Sequence, residues 1–217
     1  MHQAGLRDCT RLLTPLLATL LAGCAGGMNA AECTAADWAA LGEADARRGA
    51  APKLFEQRSK DCADLGFAVD MSAYESGRAK GLAAYCTPEG GFEAGLSGAD
   101  YQGICPPESE PGFLEEYGLG AKAAALTKAQ ETAAREHETA VADLDQHHYL
   151  LSVAEKRYAR PSMSNEDREH ERQDIEFRRR EIARLENQLP KLLDALDRAK
   201  SDLQSFRAAL ADRGRSF

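Results

Sequence analysis

Acids and aromatics stand close together in the first half of the chain. Asp37 adjoins Trp38, Asp70 lies four residues before Tyr74, and Asp45, Tyr85 and Tyr101 fall in the same stretch. Paired carboxylates serve general acid–base catalysis when one is held protonated and the other ionised. Aromatic faces beside acids bind sugars or cations. Asp37, Trp38, Asp70, Tyr74, Tyr85 and Tyr101 therefore form the candidate ligand surface. The plainer reading is structural. Asp37 and Asp70 stand where helices start, and Asp45 reads as a surface or loop-bonding acid. His147-His148 is the other tempting pair, but adjacent helical residues point about 100° apart, so a regular helix does not aim both at one ion. His137, His147, His148 and His170 read as solvated or seam positions. No serine sits in a nucleophile elbow, and no cysteine–histidine pairing suggests a thiol enzyme. No catalytic residue, metal or cofactor is expected.

Cys24 carries a different chemistry. Arg7 and Arg11 precede an apolar run from Leu12 to Ala22, broken only by Thr14, Pro15 and Thr19. The run is too short to span a bilayer as a mature helix. It ends in Leu21-Ala22-Gly23-Cys24. Small residues before a cysteine suit a signal peptidase pocket, and the thiol is the nucleophile that takes a diacylglyceryl group. The stretch resembles the lipobox of bacterial lipoproteins. That resemblance implies a signal peptide over residues 1–23, cleavage before Cys24 and a lipid anchor, palmitate included, on that residue. Several acyl chains make a stable tether, at roughly 0.8 kcal/mol per buried methylene. Ala25 follows, rather than Asp, which by resemblance to enterobacterial sorting implies the outer rather than the inner membrane; the periplasmic face is expected, with surface exposure left open.

Cys9 leaves with the signal, so Cys33, Cys62, Cys86 and Cys105 remain. An even number in an oxidising envelope reads as two disulfides. Three pairings are possible on sequence alone. The sequential one, Cys33 with Cys62 and Cys86 with Cys105, is preferred because each bridge closes a short loop. A four-thiolate metal site would want CxxC spacing, which is missing.

About 194 residues remain after cleavage, one or two domains' worth. Residues 24–120 hold 7 Lys and Arg against 16 Asp and Glu, while residues 121–217 hold 18 of each. An acidic front half excludes a nucleic-acid face, whose phosphates need basic residues. It also disfavours adhesion to anionic lipid.

Composition shifts near Gly120, from glycine- and cysteine-rich to charged and nearly glycine-free, which predicts a boundary between a 24–120 module and a 121–217 hairpin. In the module, Thr34 reads as an N-cap with Asp37 in the first turn; Trp38, Leu41 and Ala44 share a face, and Gly49 ends that helix. Pro52 opens a second helix towards Cys62, and Asp70 caps a third. Gly77 and Gly81 lie on one side of it, where another backbone can approach. Gly90, Gly91, Gly95, Gly98 and Gly103 argue for a loop, with a small hairpin, over Thr87–Pro107. In the second half, a helix is predicted from Ala121 to Arg160, a turn at Pro161-Ser162, and a second helix capped by Ser164 with Asp167 three residues on. Ile175, Ile182, Leu185, Leu189, Leu192, Leu196, Ala199, Leu203, Phe206 and Leu210 alternate spacings of three and four, with only Arg178 interrupting: a coiled-coil seam. Pro190 should kink or restart the helix near Glu186. The first helix keeps the rhythm less well, through Ala140, Leu144, His147, Leu151, Ala154 and Tyr158.

Asp37-Trp38, Leu41-Gly42, Asp45, Gly49, Cys62, Gly66, Asp70, Tyr74, Gly77, Gly81-Leu82, Tyr85-Cys86, Gly91, Gly95, Gly98, Tyr101, Cys105-Pro106, Phe113, Tyr117 and Gly120 fall in an order and spacing that span Cys33 to Gly120. Through them the front half resembles an uncharacterised family of bacterial lipoproteins, domain of unknown function 2799. Ala46 stands where the family often has glycine. The resemblance implies no activity and no catalytic residues.

The expected architecture is all-α: a small disulfide-stapled helical module with a glycine-rich loop, then a long antiparallel helical hairpin. The expected function is that of a non-enzymatic envelope lipoprotein, held to the membrane by its lipid. It would bind another envelope protein, or self-associate, through the hairpin, and would not bind nucleic acid. A periplasmic enzyme or small-ligand binder with a site in the 33–120 module is the alternative.

Overall fold

The computed structural model describes residues 27–217, and among them the secondary structure is helical throughout. Two compact units form. Of the described residues, one comprises 27–36 and 52–69; the other comprises 37–51 and 70–217.

The smaller unit holds α1 (Ala30–Thr34) and α3 (Lys53–Asp64). Asn29 caps α1 by accepting from the Ala31 and Glu32 amides, while Glu32 reaches back to the Asn29 amide. Such reciprocal caps give a five-residue helix its start. Thr34 is not the N-cap that its sequence position predicts; it lies at the end of α1 and donates to the Ala30 carbonyl. The Cys33–Cys62 disulfide ties α1 to α3, and the Met28 amide donates to Asp61 at 2.9 Å. The α3 C-terminus ends in a Schellman motif: Gly66 at φ +82°, with Gly66 N–H to Ala63 and Phe67 N–H to Cys62.

The larger unit is built from two helix pairs and a hairpin. The first pair is α2 (Trp38–Arg47) and α4 (Met71–Tyr85); the second is α5 (Pro88–Ser97) and the start of α6 (Glu110–Tyr158). Both pairs run parallel and are joined through glycine. A Cβ on Gly77 would sit 1.8 Å from the Ala39 carbonyl oxygen, and one on Gly81 2.4 Å from that of Glu43. In the second pair, a Cβ on Gly91 would sit 2.2 Å from the Phe113 carbonyl oxygen, and one on Gly95 2.1 Å from that of Tyr117. Each Gly-x-x-x-Gly helix is answered by one glycine on its partner: Gly42 against Tyr74, Gly120 against Phe92. The same device is thus used twice, and backbones touch where side chains would hold them apart.

This overturns the glycine-rich loop expected over Thr87–Pro107. Thr87 caps α5 by accepting from the Gly90 amide, Pro88 takes the first turn, and only residues 98–109 stay irregular. The helical propensity lost at Gly91 and Gly95 is outweighed by close packing on α6, and Gly90 lies against the Tyr85 backbone. The Cys86–Cys105 disulfide closes this stretch, so both bridges follow the sequential pairing. Around it lies a core of Ala94 and fully buried Phe113, with Tyr85 and Tyr101 packed at ring-centroid distances of 5.0 and 4.9 Å from Phe113.

At Gly120 α6 does not break. It begins at Glu110, eleven residues before the expected start, because Gly120 is a packing position against α5 rather than a stop. Past α5, α6 pairs with α7 (Asn165–Ala211) as an antiparallel hairpin. Ser164 caps α7 by accepting from the Asp167 amide, as its spacing predicts. Pro190 lies inside α7, which continues through it without restarting. Ile175, Ile182, Leu185, Leu196, Leu203 and Leu210 are buried along the seam, facing Ala140 and Ala154.

Candidate functional site

Asp37 and Asp70 act as helix caps, each accepting from the amide three residues on, Ala40 at 3.0 Å and Ala73 at 2.9 Å. That is the structural reading made from sequence. Trp38 is buried at the start of α2. Tyr74 is buried on α4, and its phenol donates to Asp45 Oδ2 at 3.1 Å. Tyr85 packs on Phe113 and lies against Gly49, whose φ of +74° and near contact with the phenol both exclude a side chain. Tyr101 donates to Glu110 Oε1 at 2.7 Å and accepts from the Cys105 amide at 3.0 Å, so its phenol pins the disulfide loop to α6. The six candidates thus divide between helix caps and packed core, and do not line one cavity.

Asp45 is the residue that sequence reading misplaced. It is wholly buried, not a surface acid. Tyr74 and Arg48 both donate to its carboxylate, the latter at 2.7 Å. A signal was present in the sequence: Asp45 lies three residues after Gly42 and four before Gly49, on the face that packs. Burying a carboxylate is tolerated when it is paired and hydrogen-bonded.

Electrostatics follow the same arrangement. Burial, reinforced by the Asp45 carboxylate, pushes the Tyr74 phenol above its ordinary value of 10.0, with Arg78 pulling the other way. Burial also raises Tyr85, with Tyr117 beside it, and Tyr101, with Glu110 as its acceptor. Phenols held protonated this way are hydrogen-bond donors rather than bases near neutral pH.

One groove of about 480 Å³ in the larger unit is lined by Arg48, Tyr85, Gly90, Glu93 and Ser97. Of the six candidates only Tyr85 reaches it. Among the described residues no group of three or more His, Cys, Asp or Glu is placed to hold a metal ion. Cys24 lies outside the described residues. No described helix is long and apolar enough to cross a membrane.

Two arrangements in the hairpin were not anticipated. Arg178, the one polar residue in the α7 seam, is bonded to Asp174 at 3.0 Å and lies 3.5 Å from His147 Nδ1, so a polar layer crosses the seam. At the other end, the chain beyond α7 folds back. Arg213 donates to Glu115 and Glu116, Arg215 donates to Glu116 at 3.0 Å and pairs with Glu89, and Phe217 rests near Phe92 and Phe206. Buried Glu116 is thereby held between two arginines.

No curated protein and no solved structure matches this chain. The family model described as Protein of unknown function (DUF2799) matches residues 37–122, which take in the Asp45–Tyr74 pair, both glycine-joined helix pairs and the disulfide loop. The likeness to that family is confined to residues 37–122, less than half of the chain.

Proposed function

We propose that the protein is a cell-envelope lipoprotein, acylated at Cys24 and held to the periplasmic face of the outer membrane, that works by binding another envelope protein through its hairpin. The observation that carries this reading is the hairpin itself. Two helices of nearly fifty residues pair along one seam, giving α7 a length of about 70 Å at 1.5 Å per residue. Most of its length extends beyond the family module, and it presents Val141, Tyr149, Phe177 and Leu193 to solvent, Tyr149 at 68 % exposure. Large exposed aromatics are what protein interfaces select. The Cys24 motif supports the tether, and two disulfides suit an oxidising compartment.

Crosslinking in intact cells, followed by affinity purification, tests the reading. A discrete crosslinked species that is lost in a Tyr149→Asp, Phe177→Asp variant is expected. Recovery of monomer alone, with the variant behaving like the parent, contradicts it.

A further inference from the structure

The smaller unit carries an apolar loop at the place where the N-terminal chain enters it. Leu65-Gly66-Phe67-Ala68-Val69 is an uncharged run of five residues. Leu65 is 50 % exposed, Ala68 is exposed, and Phe67 and Val69 are half-buried. The Schellman turn at Gly66 ends α3 and starts the run, and a Cβ added at Gly66 would meet nothing within 4 Å.

Three observations tie this loop to the chain that leads from Cys24. The Met28 amide donates to Asp61, and Asp61 is itself one turn before Leu65, whose amide donates to the Asp61 carbonyl. The Cys33–Cys62 disulfide fixes the same end of α3 covalently. Only four peptide units separate Cys24 from Met28, a span of at most about 14 Å. A lipid on Cys24 therefore holds Leu65 within reach of the bilayer surface.

Charge does not oppose that contact. The acid of residues 24–120 is concentrated beyond residue 69: residues 70–120 hold 2 Lys and Arg against 9 Asp and Glu, while residues 28–36 and 52–69 together hold 3 against 4. Asp64, next to Leu65, is paired with Lys60. A near-neutral, apolar tip beside a lipid anchor matches the interfacial zone of a bilayer.

We propose that the Leu65–Val69 loop is a second membrane contact, resting in the interfacial region beside the acylated Cys24. It depends on the acylation proposed above. Leu and Phe enter the headgroup boundary, and the disulfide keeps the loop and the anchor on one side of the unit.

The test uses the full-length acylated protein in zwitterionic phosphatidylcholine vesicles, with and without brominated acyl chains. The single native tryptophan, Trp38, is buried and supplies a subtractable background. Leu65→Trp is expected to emit further to the blue on vesicles than in detergent-free buffer without lipid, and to lose intensity to bromine. Ala68→Trp, at an exposed position in the same loop, repeats the reading should Leu65→Trp fold poorly. Leu193→Trp on the hairpin should keep its intensity. Loop tryptophans that stay unquenched while the protein floats with the vesicles overturn the contact and leave the anchor intact. Quenching of Leu193→Trp to the same degree also overturns it, because the whole protein would then lie on lipid. A mass spectrum lacking acyl groups at Cys24 removes the anchor and the contact together.

Discussion

Asp45 and Gly77 do related work on one interface. Gly77 lets the α4 backbone reach α2, and Asp45 anchors Tyr74 inside the contact. Gly77→Ala should cost about 1–3 kcal/mol or more, because its Cβ meets backbone that cannot rotate away. Gly118→Ala, in open space within α6, should instead gain about 0.5–1 kcal/mol from helix propensity. Urea unfolding of the two variants separates these outcomes; equal effects would show that the close approach is not a constraint. The raised phenols give a pH dependence. A phenol whose folded pKa exceeds its unfolded value contributes stability that is full below about pH 10 and lost as pH rises through the folded value. Stability should therefore fall on the alkaline side, and Tyr74→Phe should flatten that fall while lowering stability near pH 7 through the lost Asp45 hydrogen bond. Unfolding free energies across about pH 8 to 11 measure both effects.

At the scale of elements, the hairpin shows a seam with one polar layer. Arg178, with Asp174 and His147, stands where the heptad wants a hydrophobe. Such layers fix register at a cost in stability. Arg178→Leu should raise the thermal midpoint by a few degrees, corresponding to about 1 kcal/mol. Leu203→Ala, fully inside the seam, should cost about 2–5 kcal/mol, whereas Leu193→Ala, 44 % exposed, should cost far less. The seam was legible in sequence because a sustained three–four alternation has one physical solution. The helix α5 was not legible, since Gly90, Gly91 and Gly95 have the local preferences of a loop, and the packing of Gly91 and Gly95 on α6 is not visible in sequence. Gly120 likewise reads locally as a helix break and is a packing position inside α6. Local signals succeeded where the cap and its partner are close in sequence, at Asp70 and Ser164, but they named Thr34 as the cap of the helix that Asp37 caps. They failed at Asp45, whose partner Tyr74 is 29 residues away.

For the whole molecule, covalent links hold the parts that cores of this size hold weakly. Aromatics make up only 6 % of the chain. Cys86–Cys105, with Phe113 packed against it, should contribute about 3 kcal/mol for a loop of this length. Replacing both cysteines by serine should lower the urea midpoint accordingly, while leaving α7 helical by circular dichroism. The clasp of Arg213, Arg215 and Phe217 adds a non-covalent link between the chain's end and α5–α6. Acylation at Cys24 is the claim on which the proposed place of work depends. Intact mass analysis of the protein recovered from bacterial envelopes tests it most directly. The mature chain should begin at Cys24 and carry diacylglyceryl and amide-linked acyl mass, with Cys24→Ser accumulating at the precursor mass. A mature chain that begins at another residue, or a Cys24 without acyl mass, would contradict the account.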